Sequence, residues 1–329
     1  MFKDTLHDQL GAWPLGYMPY GGADYGEVAR IAQAFGDGDD AAFHDAWTAA
    51  ACFYAKAFHP LYGEPVDARL LEGARKQRQA FESGLALGDD PALPLHIPFE
   101  AHRLPAWLIP AQGASSERRP LVVFTNGYDG TITDLYFGSA VAASRRGYHS
   151  LIFDGPGQGN MLFEHGVRLR PDWETVIAAV LDLVLELPIV DPERVALSGW
   201  SLGGYLAARA AASETRLRAC IVDPGRIAVA DGFRAAAGQL GLGPEQVRDL
   251  GALPQDVIAR METLFAQDRI RRWSVIGRGY WVHGVDNLRA YLASVEQYTL
   301  ADRVAEIRCS GSRPPTEPAT IARWATGPC

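Results

Sequence analysis

The sequence contains few cysteines and no long apolar run. Its four cysteines fit no metal-binding spacing and are too few for a disulfide scaffold, so we expect no metal site and no such scaffold. No stretch approaches the ~18 consecutive apolar residues of a membrane span. The N-terminus lacks the apolar run behind a basic start that marks a signal peptide. These absences predict a cytoplasmic protein that does not bind a membrane.

An excess of basic residues is also absent. The formal net charge is −8, which argues against a nucleic-acid-binding surface because phosphate contacts need clustered lysines and arginines. The glycines of "DGPGQG" (154–159) lack the G-x-G-x-x-G spacing of a dinucleotide site, and no P-loop lysine follows them. We therefore expect a small-molecule substrate as the partner, no nucleic acid, and no cofactor.

Hydrophobic patterning divides the chain into four segments. Apolar residues at three- and four-residue spacing predict a helical cap over residues 1–92. Alternating strand and helix signals predict an α/β core over residues 93–225, which opens with an edge hairpin. Helical spacing returns over residues 226–300 and predicts a helical lid insertion. Residues 301–329 are predicted to be a remnant of the core followed by an irregular tail.

The core segment has the pattern of an α/β fold with a mostly parallel sheet. Buried strands are predicted within residues 120–127, 149–159, 194–200 and 217–225, and a helix is predicted over 172–188. Apolar strands that alternate with helices indicate a sheet whose two faces are both covered by helices. The carboxyl edge of such a sheet is where ligands bind.

One strand-to-helix junction carries a chemical signature. Gly199-Trp200-Ser201-Leu202-Gly203 matches G-x-S-x-G and joins a predicted strand to a predicted helix. The glycines let the chain turn sharply and let the helix pack close to the strand. The serine hydroxyl is then exposed at a helix N-terminus, where backbone N–H groups favour a developing oxyanion. Ser201 is the predicted nucleophile, and a glycine-rich turn with an idle serine is the alternative.

A second oxyanion donor is expected from the loop after an earlier strand. That loop is "TNGYDGTITD", residues 125–134. Gly127 permits a tight backbone turn, so the backbone N–H of Tyr128 is the predicted donor beside that of Leu202. The alternative is a plain turn, because Asn-Gly and Asp-Gly are turn dipeptides. The two interpretations are compatible.

Three motifs together resemble one branch of the α/β-hydrolases. They are "NGYDG" (126–130), "FDGPGQG" (153–159) and "GWSLGGY" (199–205). The branch contains dihydroxypseudooxynicotine hydrolase and the fungal polyketide-shortening hydrolases, and the resemblance spans roughly residues 40 to 308.

The resemblance implies an α/β-hydrolase-type fold with an N-terminal helical cap and Ser201 as the nucleophile of an acyl-enzyme. It also implies hydrolysis of an ester or of a C–C bond next to a ketone. Asp129 matches the position of an auxiliary acid in the nicotine-pathway relative. Asp154 is expected to tie down its own loop, with a direct chemical role as the alternative.

The usual partners of the serine are missing where the fold expects them. In an α/β-hydrolase the acid and then the histidine follow the serine along the chain. Residues 302–309 resemble the approach to the strand that precedes the acid, but residues 310–329 contain no Asp and no His. We therefore expect the resemblance to end at Cys309 and the C-terminal part of the core to be missing, as after a frameshift or a premature end. A homodimer would cover the sheet edge that this leaves exposed.

His283 is the only histidine after Ser201. It lies among aromatic residues of the predicted lid and is either a general base or a histidine of the pocket or core. Asp286 would orient it only if both side chains faced inward.

The predicted function is that of a serine hydrolase that cleaves an ester or a ketone-adjacent C–C bond of an apolar or aromatic substrate. The lid residues Trp273, Tyr280, Trp281 and Tyr291 either line an acyl pocket or pack in the core. The alternative is a truncated, catalytically impaired pseudo-hydrolase that retains a binding pocket.

Overall fold

The computed structural model describes residues 50, 51 and 53–309. Most of the predicted cap and all of the predicted tail beyond Cys309 lie outside these residues. The division of the chain into cap, core and lid therefore stays a prediction. Within the described part, the helical stretch at the start runs into a 3-10 turn, His59–Leu61.

A six-stranded sheet forms the centre of the molecule, in the order β1-β2-β4-β3-β5-β6. β1 and β2 form the predicted edge hairpin, and β2 pairs antiparallel with β4. The remaining neighbours, β4–β3, β3–β5 and β5–β6, are parallel. The strands are β1 (Leu93–Phe99), β2 (His102–Ile109), β3 (Arg119–Thr125), β4 (His149–Phe153), β5 (Val190–Trp200) and β6 (Ala219–Asp223).

Helices lie against both faces of the sheet. The helical elements are α1 (Ala68–Leu85), α2 (Ile132–Leu135, continued through a π-helical turn, Tyr136–Ala140, to Val141–Ser144), α3 (Gly159–Phe163), α4 (Trp173–Val184), α5 (Leu202–Ala211), α6 (Asp231–Gln239), α7 (Gln255–Gln267), α8 (Arg269–Arg271, continued through a π-helical segment, Arg272–Gly279, to Tyr280–His283) and α9 (Leu288–Val295).

Alternate residues of one strand belong to two different hydrophobic clusters. In β3, Leu121 and Val123 pack in the cluster that contains α4 and α5. Val122 and Phe124 pack in the cluster that contains the π-helical turn of α2. Because successive side chains of a strand point to opposite faces, both faces of β3 are buried. The predicted mostly parallel sheet with helices on both faces is confirmed.

After β6 the described chain is helical, as predicted for the lid. Residues 224–309 contain no further strand, apart from an isolated bridge between Ala228 and Thr299. β6 is therefore one edge of the described sheet, and the side chain of Ile221 is 42% exposed. The predicted loss of later strands and the predicted homodimer stay predictions.

In the part of the chain that the structure describes, no helix has both the length and the apolar character needed to cross a bilayer.

Candidate active site

Ser201 occupies the turn between β5 and α5, as the motif predicted. Its backbone has φ 54° and ψ −119°, a left-handed conformation that residues with a side chain rarely adopt. Its N–H donates to the carbonyl of Asp223 at the end of β6, over 2.6 Å. Its side chain is exposed and does not cap α5. The hydroxyl is therefore presented to solvent at the N-terminus of a ten-residue helix.

The glycines around Ser201 allow backbones to approach one another. A Cβ at Gly199 would lie 1.9 Å from the carbonyl oxygen of Gly203. A Cβ at Gly203 would lie 2.5 Å from the carbonyl oxygen of Thr125, and one at Gly204 would lie 2.2 Å from that of Pro224. All three contacts are with backbone atoms, which cannot rotate away. The close packing expected of this turn is thus present in the structure.

The loop after β3 lies directly beside the serine turn. A Cβ at Gly127 would lie 2.9 Å from the backbone nitrogen of Leu202 and 3.1 Å from the Cβ of Ser201. A side chain at residue 127 would therefore obstruct the Leu202 amide. The peptide that follows Gly127 carries the N–H of Tyr128, so the structure brings the two predicted oxyanion donors into one neighbourhood.

Hydrogen bonds within the core hold this loop in place. The side chain of Asn126 donates to the carbonyl of Thr131 over 2.8 Å and closes the loop on itself. Gln158, from the "FDGPGQG" motif, donates to the carbonyls of Asn126 and Gly127 over 2.7 and 3.3 Å. Gln158 also accepts from the N–H of Gly155. Two of the three sequence motifs are therefore joined by a buried side chain.

The N-terminal helical residues hold the same loop from the other side. The ammonium of Lys56 donates to Asp134 over 2.5 Å, and both side chains are at most 5% exposed. The amide of Gln77 donates to the hydroxyls of Thr131 and Thr133. His59 donates from Nε2 to the carbonyl of Asp129 over 2.6 Å. The loop that carries Tyr128 is thus fixed by side chains from elsewhere in the chain.

Burial and charge act in opposite directions on Asp134. Desolvation alone would raise the pKa of its carboxyl, but Lys56, His59 and the N–H of Thr131 outweigh it, and the pKa is lowered. His59 is fully buried, and its pKa falls to about 4, mainly through desolvation and then through the charge of Lys56. At neutral pH, Asp134 is therefore ionised and His59 is uncharged.

Asp129, predicted as an auxiliary acid, is held in an ion pair. Arg278 places Nη1 2.5 Å from each of its two carboxylate oxygens. The same guanidinium lies over the rings of Tyr128 and Trp273, 4.5 and 5.2 Å from their centroids. Burial would lower the pKa of Arg278, but the Asp129 carboxylate reverses this, and the net shift is upward. In this arrangement both carboxylate oxygens of Asp129 accept hydrogen bonds from Arg278.

His283 lies close to the loop of residues 125–134 (the oxyanion loop), but its two ring nitrogens contact hydroxyl groups. Its Nε2 is 2.5 Å from the hydroxyl of Tyr128, and its Nδ1 is 2.7 Å from the hydroxyl of Ser294. Its pKa falls to about 3 because burial desolvates the ring and Arg278 is nearby. Asp286 is exposed and accepts from Asn287, so Ser294, and not Asp286, contacts the ring. Among the described residues, Ser201 makes no hydrogen bond to a histidine.

A cavity of about 370 Å³ opens beside Ser201. Tyr128 and Asp129 line it, together with Arg278. Its apolar wall consists of Leu202, Val229, Phe233, Phe265, Val275 and Tyr291. It lies at the carboxyl ends of β5 and β6, the edge where parallel sheets bind ligands.

The aromatic residues of the predicted lid divide between the cavity and the core. Of the four, only Tyr291 lines the cavity. Trp281 is 2% exposed and stacks on Phe163, with ring centroids 5.8 Å apart. Trp273 stacks on Tyr62 and donates to the carbonyl of His59. The packing interpretation therefore holds for the two tryptophans, which pack α8 against Tyr62 and Phe163.

Asp154 ties its own loop together, as expected. Its Oδ2 accepts from the N–H of Asn160 over 3.2 Å. The carboxyl is buried, and desolvation raises its pKa to about 7, although backbone hydrogen bonds oppose the shift. It lines a separate cavity that does not include Ser201. The alternative of a direct chemical role at the serine is not supported by this position.

Several site residues were missed by the sequence interpretation. Arg278 has no motif of its own, and its partner Asp129 is 149 positions away. Phe233 and Phe265 fit the apolar spacing that predicts helices, but nothing in the sequence indicates that they line a cavity. Gln158 belonged to a recognised motif, but its contact with Asn126 required the fold to be known. Within the described range, the structure contains no cluster of three or more side chains suited to a metal ion.

Comparisons with known proteins agree with the fold and the motifs. A family model described as the alpha/beta hydrolase family matches residues 122–329. Because that range runs to residue 329, the predicted departure after Cys309 stays a prediction. The crystal structure of 2,6-dihydroxy-pseudo-oxynicotine hydrolase matches with a TM-score of 0.64 at 20% identity, and the match covers 94% of this chain and 73% of the hydrolase chain. AbyA5 matches with a TM-score of 0.58 at 20% identity, and the match covers 90% of this chain and 71% of the AbyA5 chain. These two structures share the fold.

Fungal hydrolases are more similar in sequence. Hydrolase acrC of Aspergillus aculeatus is 34% identical, over 89% of this chain and 78% of that protein. The 20-hydroxy-prefusarin hydrolase FUS2 of Gibberella moniliformis is 30% identical, over 90% and 78%. Because the family model covers well over half of the chain and the fungal hydrolases match most of it, this chain is an enzyme that belongs to the alpha/beta hydrolase family.

Proposed function

We propose that this chain is a serine hydrolase in which Ser201 attacks a carbonyl carbon and forms an acyl-enzyme. The observation that carries the proposal is the backbone of Ser201, held at φ 54° at the N-terminus of α5 with its hydroxyl uncapped and facing a cavity. A strained conformation persists only where the surrounding structure enforces it, and such positions cluster at active sites. An idle serine in a glycine-rich turn would not need this conformation.

The proposed oxyanion donors are the backbone N–H groups of Leu202 and Tyr128. The first belongs to the first turn of α5, where N–H groups have no partner within the helix. The second follows Gly127, whose lack of a side chain leaves the Leu202 amide accessible. Two fixed donors stabilise the negative charge that develops on the carbonyl oxygen, and one such donor contributes ~10²–10³ in rate.

The proposed substrate is an ester, or a compound with a C–C bond next to a ketone, with an apolar or aromatic acyl part. The size and apolar wall of the cavity support an acyl part of this kind. The relatives named as hydrolases, one of them a 20-hydroxy-prefusarin hydrolase, agree with hydrolysis in general terms.

His283 is the proposed general base, and its surroundings predict slow turnover. It is the only histidine after Ser201 in the sequence. Its pKa of about 3 makes it a weak base at neutral pH, because a general base is most effective when its pKa is near the ambient pH. Its Nε2 is also occupied by the hydroxyl of Tyr128.

A second candidate function is that of a catalytically impaired relative that retains the pocket. The observation that favours it is that, within the described residues, Ser201 contacts no histidine and His283 contacts no carboxylate. Loss of a triad member typically lowers the rate by about 10⁴–10⁶. The cavity and the oxyanion loop would remain available to bind a ligand.

Labelling and turnover distinguish the two candidates. The full chain is treated with a fluorophosphonate, and the intact mass and the labelled peptide are determined; burst kinetics are measured with 4-nitrophenyl butyrate. The variant Ser201→Ala should lose both signals, whereas Ser274→Ala, a second serine in the same cavity, should retain them. Labelling of Ser201 without turnover would support the impaired relative. If Ser201 is not labelled and no turnover is detected, the hydrolase proposal is contradicted.

A further inference from the structure

The cavity beside Ser201 contains more positive than negative charge. Among the described residues, three arginines line it, Arg226, Arg271 and Arg278, and Asp129 is the only acidic residue of its lining. Arg278 and Asp129 form an ion pair within the wall. Arg226 and Arg271 are both exposed, and neither forms an ion pair with any carboxylate of the described residues. Two guanidinium charges therefore line the cavity without an acidic partner in the described part of the chain.

These two arginines come from different parts of the chain and meet at one cavity. Arg226 follows the carboxyl end of β6, three residues after Asp223, whose carbonyl accepts from the N–H of Ser201. Arg271 lies where α8 begins, with its guanidinium 5.6 Å from the centroid of the Phe265 ring. This stacking over an aromatic face limits the orientations that Arg271 can adopt.

Many other exposed arginines of this chain do have acidic partners. Arg218 pairs with Glu193 at 2.5 Å, and Arg69 pairs with Asp67 at 2.6 Å, although all four side chains are on the surface. A protein with a net charge of −8 has ample carboxylates to pair with its arginines. Exposed arginines elsewhere, such as Arg260, also have no ion pair among the described residues. What distinguishes Arg226 and Arg271 is that both line the cavity beside Ser201, where a ligand could supply the negative charge.

We infer that the substrate of this enzyme carries a carboxylate, which Arg226 and Arg271 bind at the cavity while the apolar body of the molecule contacts Phe233 and Phe265. Guanidinium groups bind carboxylates through short, charge-assisted hydrogen bonds. The inference rests on the proposed function, because it makes this cavity the substrate site of Ser201. It narrows the substrate to an amphiphilic organic acid with a cleavable carbonyl.

The test uses binding, which does not require Ser201 to react. Binding of 4-phenylbutyrate and of its neutral amide, 4-phenylbutanamide, is measured by titration calorimetry on the full chain and on Ser201→Ala. We expect the carboxylate to bind about ten-fold more tightly than the amide. That preference should weaken as salt is raised, because exposed charges are screened.

The arginine variants assign the preference to the cavity. Arg226→Gln and Arg271→Gln should each reduce the carboxylate preference several-fold, and together they should abolish it. Arg260→Gln changes an exposed arginine of α7 that does not line the cavity, and it should leave the preference unchanged.

Two outcomes would overturn the inference: equal or undetectable binding of the two compounds, or an equal loss of preference in Arg260→Gln. Failure of Ser201 to react would instead remove the hydrolase proposal and leave this binding result intact.

Discussion

The side-chain amide of Gln158 donates a 2.7 Å hydrogen bond to the backbone carbonyl of Asn126. Gln158 lies at the start of α3 and Asn126 at the end of β3, so the bond joins loops that follow neighbouring parallel strands. A further contact to the carbonyl of Gly127 places this amide behind the peptide that carries the N–H of Tyr128. Gln158 is thus a positioning residue for the proposed oxyanion donor.

Replacing Gln158 by Leu should lower activity more than substrate binding. The variant removes both donors and leaves the carbonyls of Asn126 and Gly127 buried without this partner. We expect kcat with an aryl ester to fall by about ten-fold or more with a small change in KM, because misplacement of a donor affects the transition state. If turnover is too slow, the rate of fluorophosphonate labelling replaces kcat.

Gln246→Leu is the matched control, since Gln246 is exposed and caps a distant turn through Gly243. Thermal unfolding of both variants separates a general loss of stability from a local effect. An unchanged kcat and labelling rate in Gln158→Leu would contradict the positioning role.

Adding a single methyl group at Gly199 should severely destabilise the protein. The new Cβ would lie 1.9 Å from the carbonyl oxygen of Gly203, which belongs to the backbone of α5 and cannot turn aside. We expect Gly199→Ala to lower the free energy of unfolding by about 3 kcal/mol. Gly238→Ala, in α6, meets no atom within 4 Å and should be neutral or slightly stabilising. Equal stability of the two variants in urea titrations would argue against this close approach.

The strain at Ser201 should be measurable as a gain in stability when it is relieved. Glycine adopts positive φ at little cost, whereas serine and alanine do not. We expect Ser201→Gly to be about 1 kcal/mol more stable than Ser201→Ala, after allowance for the greater entropy of glycine in the unfolded chain. Both variants lose the hydroxyl, so both should fail to react with a fluorophosphonate. A less stable glycine variant would show that φ 54° at this position stores no strain.

The sequence predicted those features that depend on neighbouring residues. The turn at Ser201 follows from Gly199 and Gly203, and the edge hairpin follows from two short β-like runs, so both were foreseen and both are observed. The burial of both faces of the sheet was predicted from the unbroken apolar runs of the strands.

Side-chain partners that are distant along the chain could not be foreseen. The pairing of Arg278 with Asp129 spans 149 positions, and that of Lys56 with Asp134 spans 78. For the same reason, the lid aromatics could not be assigned to cavity or core. Periodicity predicts that Trp281 is buried, but whether it faces a ligand or Phe163 depends on the placement of α3.

The buried pair of Lys56 and Asp134 should show strong coupling. Lys56→Met leaves the Asp134 carboxylate buried without its main counter-charge, which should destabilise the fold by about 3–5 kcal/mol. The double variant Lys56→Met/Asp134→Asn should be less destabilised than the sum of the single variants. Urea titrations of the parent, Lys56→Met, Asp134→Asn and the double variant give this coupling energy directly.

The pH dependence provides a second measurement on the same pair. In the parent protein the pKa of Asp134 is lowered on folding, so its contribution to stability is lost as the pH falls through that pKa. In Lys56→Met, desolvation should dominate and raise the pKa, so this contribution should instead be lost as the pH rises. The same pH dependence in both proteins would contradict the assigned role of Lys56.

His283 should contribute to acid sensitivity. Its pKa falls from 6.5 to about 3 on folding, so between these values the unfolded chain binds a proton that the folded chain does not. Stability is therefore lost as the pH is lowered below 6.5. His283→Gln should remove about 2–3 kcal/mol of the loss between pH 7 and 4.5. His59, with a pKa of about 4, also contributes to the loss of stability as the pH falls. In His283→Gln the pH dependence of the free energy of unfolding should therefore become less steep but should not disappear. His96→Gln, at an exposed position, is the control, and an equal slope in both variants would place His283 in contact with solvent.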